Sequence, residues 1–229
     1  MLTAAPAEAQ ALAQALLGHA FSRPELLSEA LTHRSAAGAK GVGSNERLEF
    51  IGDRVLGLIV AEWLIERFPN EQEGKLGPRL AVLVSKSALA AVAEAHGMAE
   101  MISVAPGEAK RGVSGQANVL ADALEALIGA LYLDAGLAAV RDFIRRVMGD
   151  VMGSQGAPPK DPKTALQEWA LKRALPLPDY TVVSQSGPSH APSFVIRVSV
   201  GANNAEARAG AKRAAEQEAA RMLLGMLPP

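Results

Sequence analysis

The spacing of apolar positions changes character once along the chain. Up to about residue 150, apolar residues recur at three- and four-residue intervals, and no window sustains a period of two. This rhythm predicts helices over 8–20, from Pro24 to about Thr32, and from Ser44 or Asn45 to Phe68-Pro69. Further helices are predicted over 76–97, 115–135 and 137–150. Ser44 or Asn45 is the expected cap of the third helix, and Pro69 its stop. Beyond residue 160 the rhythm shifts. Asp161-Pro162 combines an N-cap residue with proline at the first helical position and opens a helix through Arg173. Tyr180 to Ser184 is strand-like. Ser193 to Val200 alternates, with Phe194, Ile196 and Val198 on one face. A weaker strand around 205–210 and a helix from Lys212 to Leu224 follow. Between the two regimes, Gly153 to Lys160 is rich in Gly, Pro, Ser and Gln and reads as a linker. The expected organisation is an all-α domain over 1–152, a linker over 153–160, and a small α+β domain of order α-β-β-β-α over 161–229.

Composition changes this picture little. Apolar residues make up 49% of the chain and charged residues 21%, which suits a folded protein. Aromatic residues are 4%, so the core must rest on Leu, Val, Ile and Ala. The absence of cysteine excludes disulfides and thiolate metal sites, and suits a reducing cytoplasmic compartment. No basic segment precedes an apolar run near the N-terminus, so no secretory signal is expected. The most apolar helix-like stretch, Val55 to Ile65, is too short for a bilayer and contains Glu62, so no membrane partner is expected. Net charge is −1, unevenly spread: 15 Lys/Arg against 18 Asp/Glu in residues 1–160, and 8 against 6 in 161–229. The first part could hold cations, and the second could meet phosphates.

The acidic residues of the first part have a pattern. Glu46, Glu49 and Asp53 stand at i, i+3 and i+7, within roughly 60° of one another on a helix. The helix they open is apolar almost all round from Val55 onward, which predicts burial. Asp122 and Glu125 are again one turn apart, and are the only charged residues between Asn118 and Leu133. A carboxylate on an apolar helix is costly unless paired, and no Lys or Arg lies within a turn of either. Two such helices face to face would pool oxygen ligands suited to Mg²⁺, with Mn²⁺ as a substitute. Two ions about 3.5–4 Å apart can activate water and stabilise the leaving oxygen of a phosphodiester. Glu71 and Glu73 could join them. The same spacing also suits solvated helix faces whose ion-pair partners lie on other helices, and it does not single out a reaction.

Asn45-Glu-Arg-Leu-Glu-Phe-Ile-Gly-Asp53 closely resembles the signature motif of ribonuclease III. Thr32-His-Arg-Ser35, Phe68-Pro69 with Glu73-Gly74, and Leu120 to Gly129 resemble further segments of that family, in the same order. The resemblance implies a magnesium-dependent endoribonuclease that cuts double-stranded RNA as a homodimer. It implies 5′-phosphate and 3′-hydroxyl ends with two-nucleotide 3′ overhangs, and a part in ribosomal-precursor and messenger RNA processing. By the same resemblance Glu49, Asp53, Asp122 and Glu125 hold the metal, with Asp53 and Glu125 catalytic and Glu125 the most sensitive to loss. Glu46 and Glu73 become additional acidic residues near the RNA and the subunit boundary. Phe50 becomes a dimer-interface aromatic, with plain core packing as its alternative.

The C-terminal order resembles the double-stranded RNA-binding domain that follows the nuclease in this family. Such domains read duplex shape across two minor grooves and the phosphates between them. Thr164, Gln167 and Glu168 would present the first helix to a minor groove. His190, in Gly187-Pro-Ser-His190, would reach the next, and Lys212 and Arg213 would clamp phosphates at a helix start. The run Ala207-Arg-Ala-Gly-Ala211 departs from the family by lacking a hydroxyl before the basic pair, which predicts weaker, more salt-sensitive RNA affinity. Two other functions compete. A non-catalytic RNA-binding regulator would be expected to have lost some of the carboxylates, and all are present. A phosphohydrolase of small molecules would have no use for the basic second domain.

Overall fold

A computed structural model describes residues 6–38, 43–156, 161–188 and 192–228. The chain forms two compact units, 1–158 and 159–229. In the first, α1 (Pro6–Leu17), α2 (Pro24–Ala30), α3 (Glu46–Arg67), α4 (Glu73–Leu83) and α5 (Lys86–Ala95) are followed by α6 (Pro106–Lys110), α7 (Ala117–Val147) and α8 (Gly149–Gly153). Single 3₁₀ turns at Met98–Glu100 and Val113–Gly115 flank α6. The second unit is α9 (Pro162–Lys172), β1 (Asp179–Ser186), β2 (Ser193–Val200), β3 (Asn203–Ala209) and α10 (Lys212–Met226).

The central element is α7, which packs against α2, α3 and α5. Its Leu124, Leu127, Ile128 and Leu131 are buried with Leu48, Leu56, Ile59 and Leu64 of α3. The two helices cross in backbone contact because each has a glycine at the crossing. A Cβ on Gly52 would stand 1.8 Å from the Glu125 carbonyl oxygen, and one on Gly129 would stand 2.2 Å from that of Leu48. Farther along, Arg141 pairs with Glu62 at 2.9 Å and Arg145 pairs with Glu66, so charge lines the open end of the same interface.

Several predicted elements differ in detail. The helix expected over 76–97 is two, bent by 47°. Ser85 is extended (ψ 148°), and its hydroxyl accepts the Ala88 N–H at 3.3 Å, capping α5. The helices expected over 115–135 and 137–150 adjoin as α7, interrupted at Gly136 (φ 79°), which adopts a left-handed backbone open to glycine. At the start of α3 neither expected side-chain cap forms. Asn45 is buried with its Nδ2 unpartnered, and the Ser44 hydroxyl donates instead to Glu46 at 2.7 Å. Nor is α3 buried all round, since Phe50, Leu58 and Ile65 are exposed. Among the described residues, α7 is the single helix long and apolar enough to cross a membrane, and 56% of its apolar window is buried in the core.

One buried carboxylate ties the N-terminal segment to α7. The Asp134 side chain is inaccessible and accepts from His19 Nε2 (2.7 Å), Ser22 N (3.0 Å), Ser22 Oγ (2.8 Å) and Arg23 N (3.0 Å). Burial alone would raise its pKa, but these donors hold it far below the usual carboxylate range.

In the second unit the sheet order is β1-β2-β3, all antiparallel, with Ile196 opposite Ala207 and Val198 opposite Ala205. The expected inward face is present: Ile196, Val198 and Val200 are buried, while Phe194 at the strand's start is half-buried. The alanines of β3 leave room for Leu166 and Ala170 of α9 and Ala219 and Leu223 of α10 in the same core. Asp161 accepts the Thr164 N–H at 3.0 Å, as the Asp-Pro signal predicts, and also accepts from Gln217 of α10. Lys163 pairs with Glu216 at 2.6 Å, so the two helix starts are fastened together.

Candidate metal centre

The glycine crossing determines where the acidic side chains go. Glu49 and Asp53 flank Gly52 on α3, and Asp122 and Glu125 lie within a turn or two of Gly129 on α7. With the backbones touching, Glu49, Asp122 and Glu125 each bring a carboxylate oxygen within 4.8 Å of the others. Glu46, Glu49, Asp53, Glu125 and Lys86 line one cleft of about 530 Å³, with Phe50 at its lip. Asp53 faces this cleft but stands outside the close trio, its Oδ2 accepting from Arg54 at 2.8 Å. Arg54 in turn lies over the Phe50 ring at 4.0 Å.

Glu125 is buried, and burial, followed by the charges of Asp53, Glu49 and Asp122, pushes its pKa up to about 7. Glu49 is raised for the same reasons, burial first and Asp122 next. Such a site resists holding all its charges unaided. A cation not anticipated from the sequence partly answers it: Lys86, the first residue of α5, places Nζ 2.7 Å from Asp122 Oδ1. Asp122 therefore has the kind of partner on another helix that the spacing left open. The absence of Lys or Arg holds within a helical turn but not across helices, because Lys86 lies 36 residues away. Among the described residues, two cations, Lys86 and Arg54, still face five carboxylates: Glu46, Glu49, Asp53, Asp122 and Glu125. The donor set is oxygen alone, partly buried and left with excess negative charge, which fits a hard divalent ion.

Glu71 does not join this group. It forms a two-pronged pair with Arg79 (2.8 Å to each oxygen), and Arg79 is buried over the Phe68 ring at 3.9 Å. Glu73 is exposed in the first turn of α4, outside the cleft's described lining. Phe50 is 64% exposed, so it is not a core residue. Beside it, Leu26, Leu48, Ile51 and Leu133 line an apolar groove of about 700 Å³, and Glu46 borders both groove and cleft.

In the second unit Thr164 and Gln167 are exposed on α9 and Glu168 is half-buried. Lys212 and Arg213 are exposed in the first turn of α10. Ala211, at the N-cap, gives that helix no side-chain acceptor. His190 lies outside the described residues.

The molecule is thus an all-helical unit with an acidic crossing, followed by an α-β-β-β-α unit. Residues 23–151 match the family described as Ribonuclease-III-like, and residues 162–227 match the double-stranded RNA binding motif. The chain belongs to the ribonuclease III family. It is 48% identical over 213 residues to Ribonuclease 3 of Dinoroseobacter shibae, covering 92% of each chain. It is 46% identical over 211 residues to Ribonuclease 3 of Caulobacter vibrioides, covering 91% of each. Among solved structures, the nuclease domain of Campylobacter jejuni ribonuclease III superposes with a TM-score of 0.58 at 33% identity, over 64% of this chain and 97% of that one. A second structure of that domain, described as flexible in a region involved in dimer formation, gives a TM-score of 0.57 at 34% identity, over 61% of this chain and 95% of that one.

Proposed function

We propose that the protein is an endoribonuclease that hydrolyses double-stranded RNA with bound divalent metal, working as a homodimer in the cytoplasm. Residues 1–152 form the nuclease domain, 153–160 the linker and 161–229 the RNA-binding domain. The observation that carries the reading is the convergence of Glu49, Asp122 and Glu125 from two helices, within 4.8 Å, in a member of this family. Glu49, Asp53, Asp122 and Glu125 hold Mg²⁺, for which Mn²⁺ substitutes. Bound there, the ion supplies Lewis-acid polarisation and an activated water.

The chain's own residues do the rest. Gly52 and Gly129 hold the two acidic helices at fixed separation, so the ligands are arranged before substrate arrives. Asp53 and Glu125 are the catalytic carboxylates, and the raised pKa of Glu125 suits it to hold a proton or a cation near neutral pH. Glu46 and Glu73 lie toward the RNA and the subunit boundary. Phe50 enters the apolar groove of a second copy, and the exposure of Phe50, Leu58 and Ile65 along α3 supports that assembly. Two sites in one dimer cut opposite strands, leaving 5′-phosphate and 3′-hydroxyl ends with two-nucleotide 3′ overhangs. Thr164, Gln167, Glu168, His190, Lys212 and Arg213 bind the duplex, and ribosomal precursors and structured messenger RNAs are the substrates.

The test is Mg²⁺ titration with labelled duplex RNA, single-stranded RNA and duplex DNA, followed by end-group analysis. Metal-dependent cutting of duplex RNA alone is expected, and Glu125→Gln should abolish it while retaining binding. Binding without cutting at any metal concentration would leave a regulator instead.

A further inference from the structure

Lys86 is the one feature of the cleft that the acidic motifs do not foreshadow. It occupies the first helical position of α5, after the Ser85 cap. That is the wrong end for a cation, because a helix N-terminus carries partial positive charge. The side chain nevertheless reaches across to α7 and sets Nζ 2.7 Å from Asp122 Oδ1. Asp122 is one of the three residues whose oxygens converge, so the ammonium sits against the candidate ligand set itself. Its side chain is 63% exposed and that of Asp122 is 25% exposed, so Lys86 can leave without disturbing the core. The other cation at the cleft, Arg54, is committed to Asp53, its own sequence neighbour, and to the Phe50 ring.

We infer that Lys86 is a built-in counter-ion that competes with the divalent metal for Asp122 and so sets the affinity of the site. This rests on the metal-site reading above. Before metal binds, the ammonium offsets part of the repulsion among Glu49, Asp122 and Glu125. An arriving divalent ion must displace it from Asp122 or bind beside it, and either course weakens binding through like-charge repulsion and a lost ligand oxygen. Lys86 thus acts as a positioning residue: it keeps the carboxylates together when the site is empty and lets the ion exchange when the site is full. The device trades affinity for order in the metal-free protein.

The experiment is Mn²⁺ binding to the full-length protein without RNA, followed by electron paramagnetic resonance or calorimetry, on wild type, Lys86→Gln, Lys86→Arg and Glu125→Gln. Removing one positive charge from this ligand set should tighten Mn²⁺ about tenfold or more, an effect of roughly 1.4 kcal/mol. Lys86→Arg keeps the charge and should stay near wild type. The rise in melting temperature on adding Mg²⁺ should be larger in Lys86→Gln than in wild type at the same metal concentration, because a tighter ligand stabilises more. Equal or weaker Mn²⁺ binding by Lys86→Gln, with Glu125→Gln still impaired, would overturn the role of Lys86 and leave the metal site standing. Wild-type binding that Glu125→Gln does not reduce would sink the metal-site reading itself.

Discussion

Gly52→Ala is the most direct probe of the α3–α7 crossing. The added methyl would lie 1.8 Å from the Glu125 carbonyl oxygen, where real contacts stay beyond about 3.0 Å, so the helices must part by roughly 1.2 Å. The obstacle is backbone on both sides, with no flexible side chain to swing away. Overpacking of this kind costs about 3 kcal/mol. In a unit of this size that is a fall in melting temperature of about 6–12 °C. The same movement draws Glu49 and Asp53 away from Asp122 and Glu125, and a displacement near 1 Å costs on the order of a hundredfold in rate. Gly149→Ala is the control: it opens α8, away from the crossing and from the exposed face of α3, its Cβ would meet nothing within 4 Å, and alanine there should be neutral or stabilising. Thermal unfolding and single-turnover cleavage of a labelled duplex read both variants. Wild-type stability and rate in Gly52→Ala, or equal damage in Gly149→Ala, would refute the close crossing as the origin of the site.

Other outcomes are expected from single residues. The folded-state pKa of Glu125 is raised to about 7 by burial and by Asp53, Glu49 and Asp122, against the relief of Lys86. The folded protein therefore binds the extra proton, and metal-free stability should increase as pH falls from about 7 towards 4.5, by up to about 3 kcal/mol. Glu125→Gln should flatten that slope in urea unfolding with chelator present, and an unchanged slope would count against the burial of its charge. Phe50→Ala removes two copies of one apolar anchor from a symmetric dimer, about 3–6 kcal/mol together, so sedimentation should show monomer at micromolar concentration. Lys212→Ala and Arg213→Ala should each lower the salt slope of duplex binding by about 1. Fewer phosphate contacts flatten that slope while weakening binding, so the greater salt sensitivity expected of the Ala207–Ala211 run is corrected to a lower affinity with a shallower salt dependence.

Much of this molecule is legible in its periodicity. The change from three-four spacing to alternation separates helical from mixed architecture, and the Asp161-Pro162 pair marks the start of α9 correctly. The misses have physical causes. Ser85 is a cap signal inside an apolar run, and the run hides it. Lys86 meets Asp122, and Arg79 meets Glu71, through contacts between elements that no local spacing encodes. The glycines at 52 and 129 are visible in the motifs, but the reason for them, a backbone crossing, exists only once the helices are packed. The exposed faces of Phe50, Leu58 and Ile65 look like core in a sequence because apolar periodicity does not say which apolar face the fold covers.

Asp134 has a consequence for how the protein tolerates trimming. The segment it anchors, His19 to Arg23, leads directly into α2, whose Leu26 walls the groove beside Phe50, and Leu133, its own neighbour, forms the facing part. Shortening the chain to begin after Arg23 would strip that carboxylate of the donors described above and leave a bare charge inside the fold, next to the groove beside Phe50. Damage from such trimming should reach the groove around Leu26 and Leu133 first, before the backbone crossing at Gly52 and Gly129.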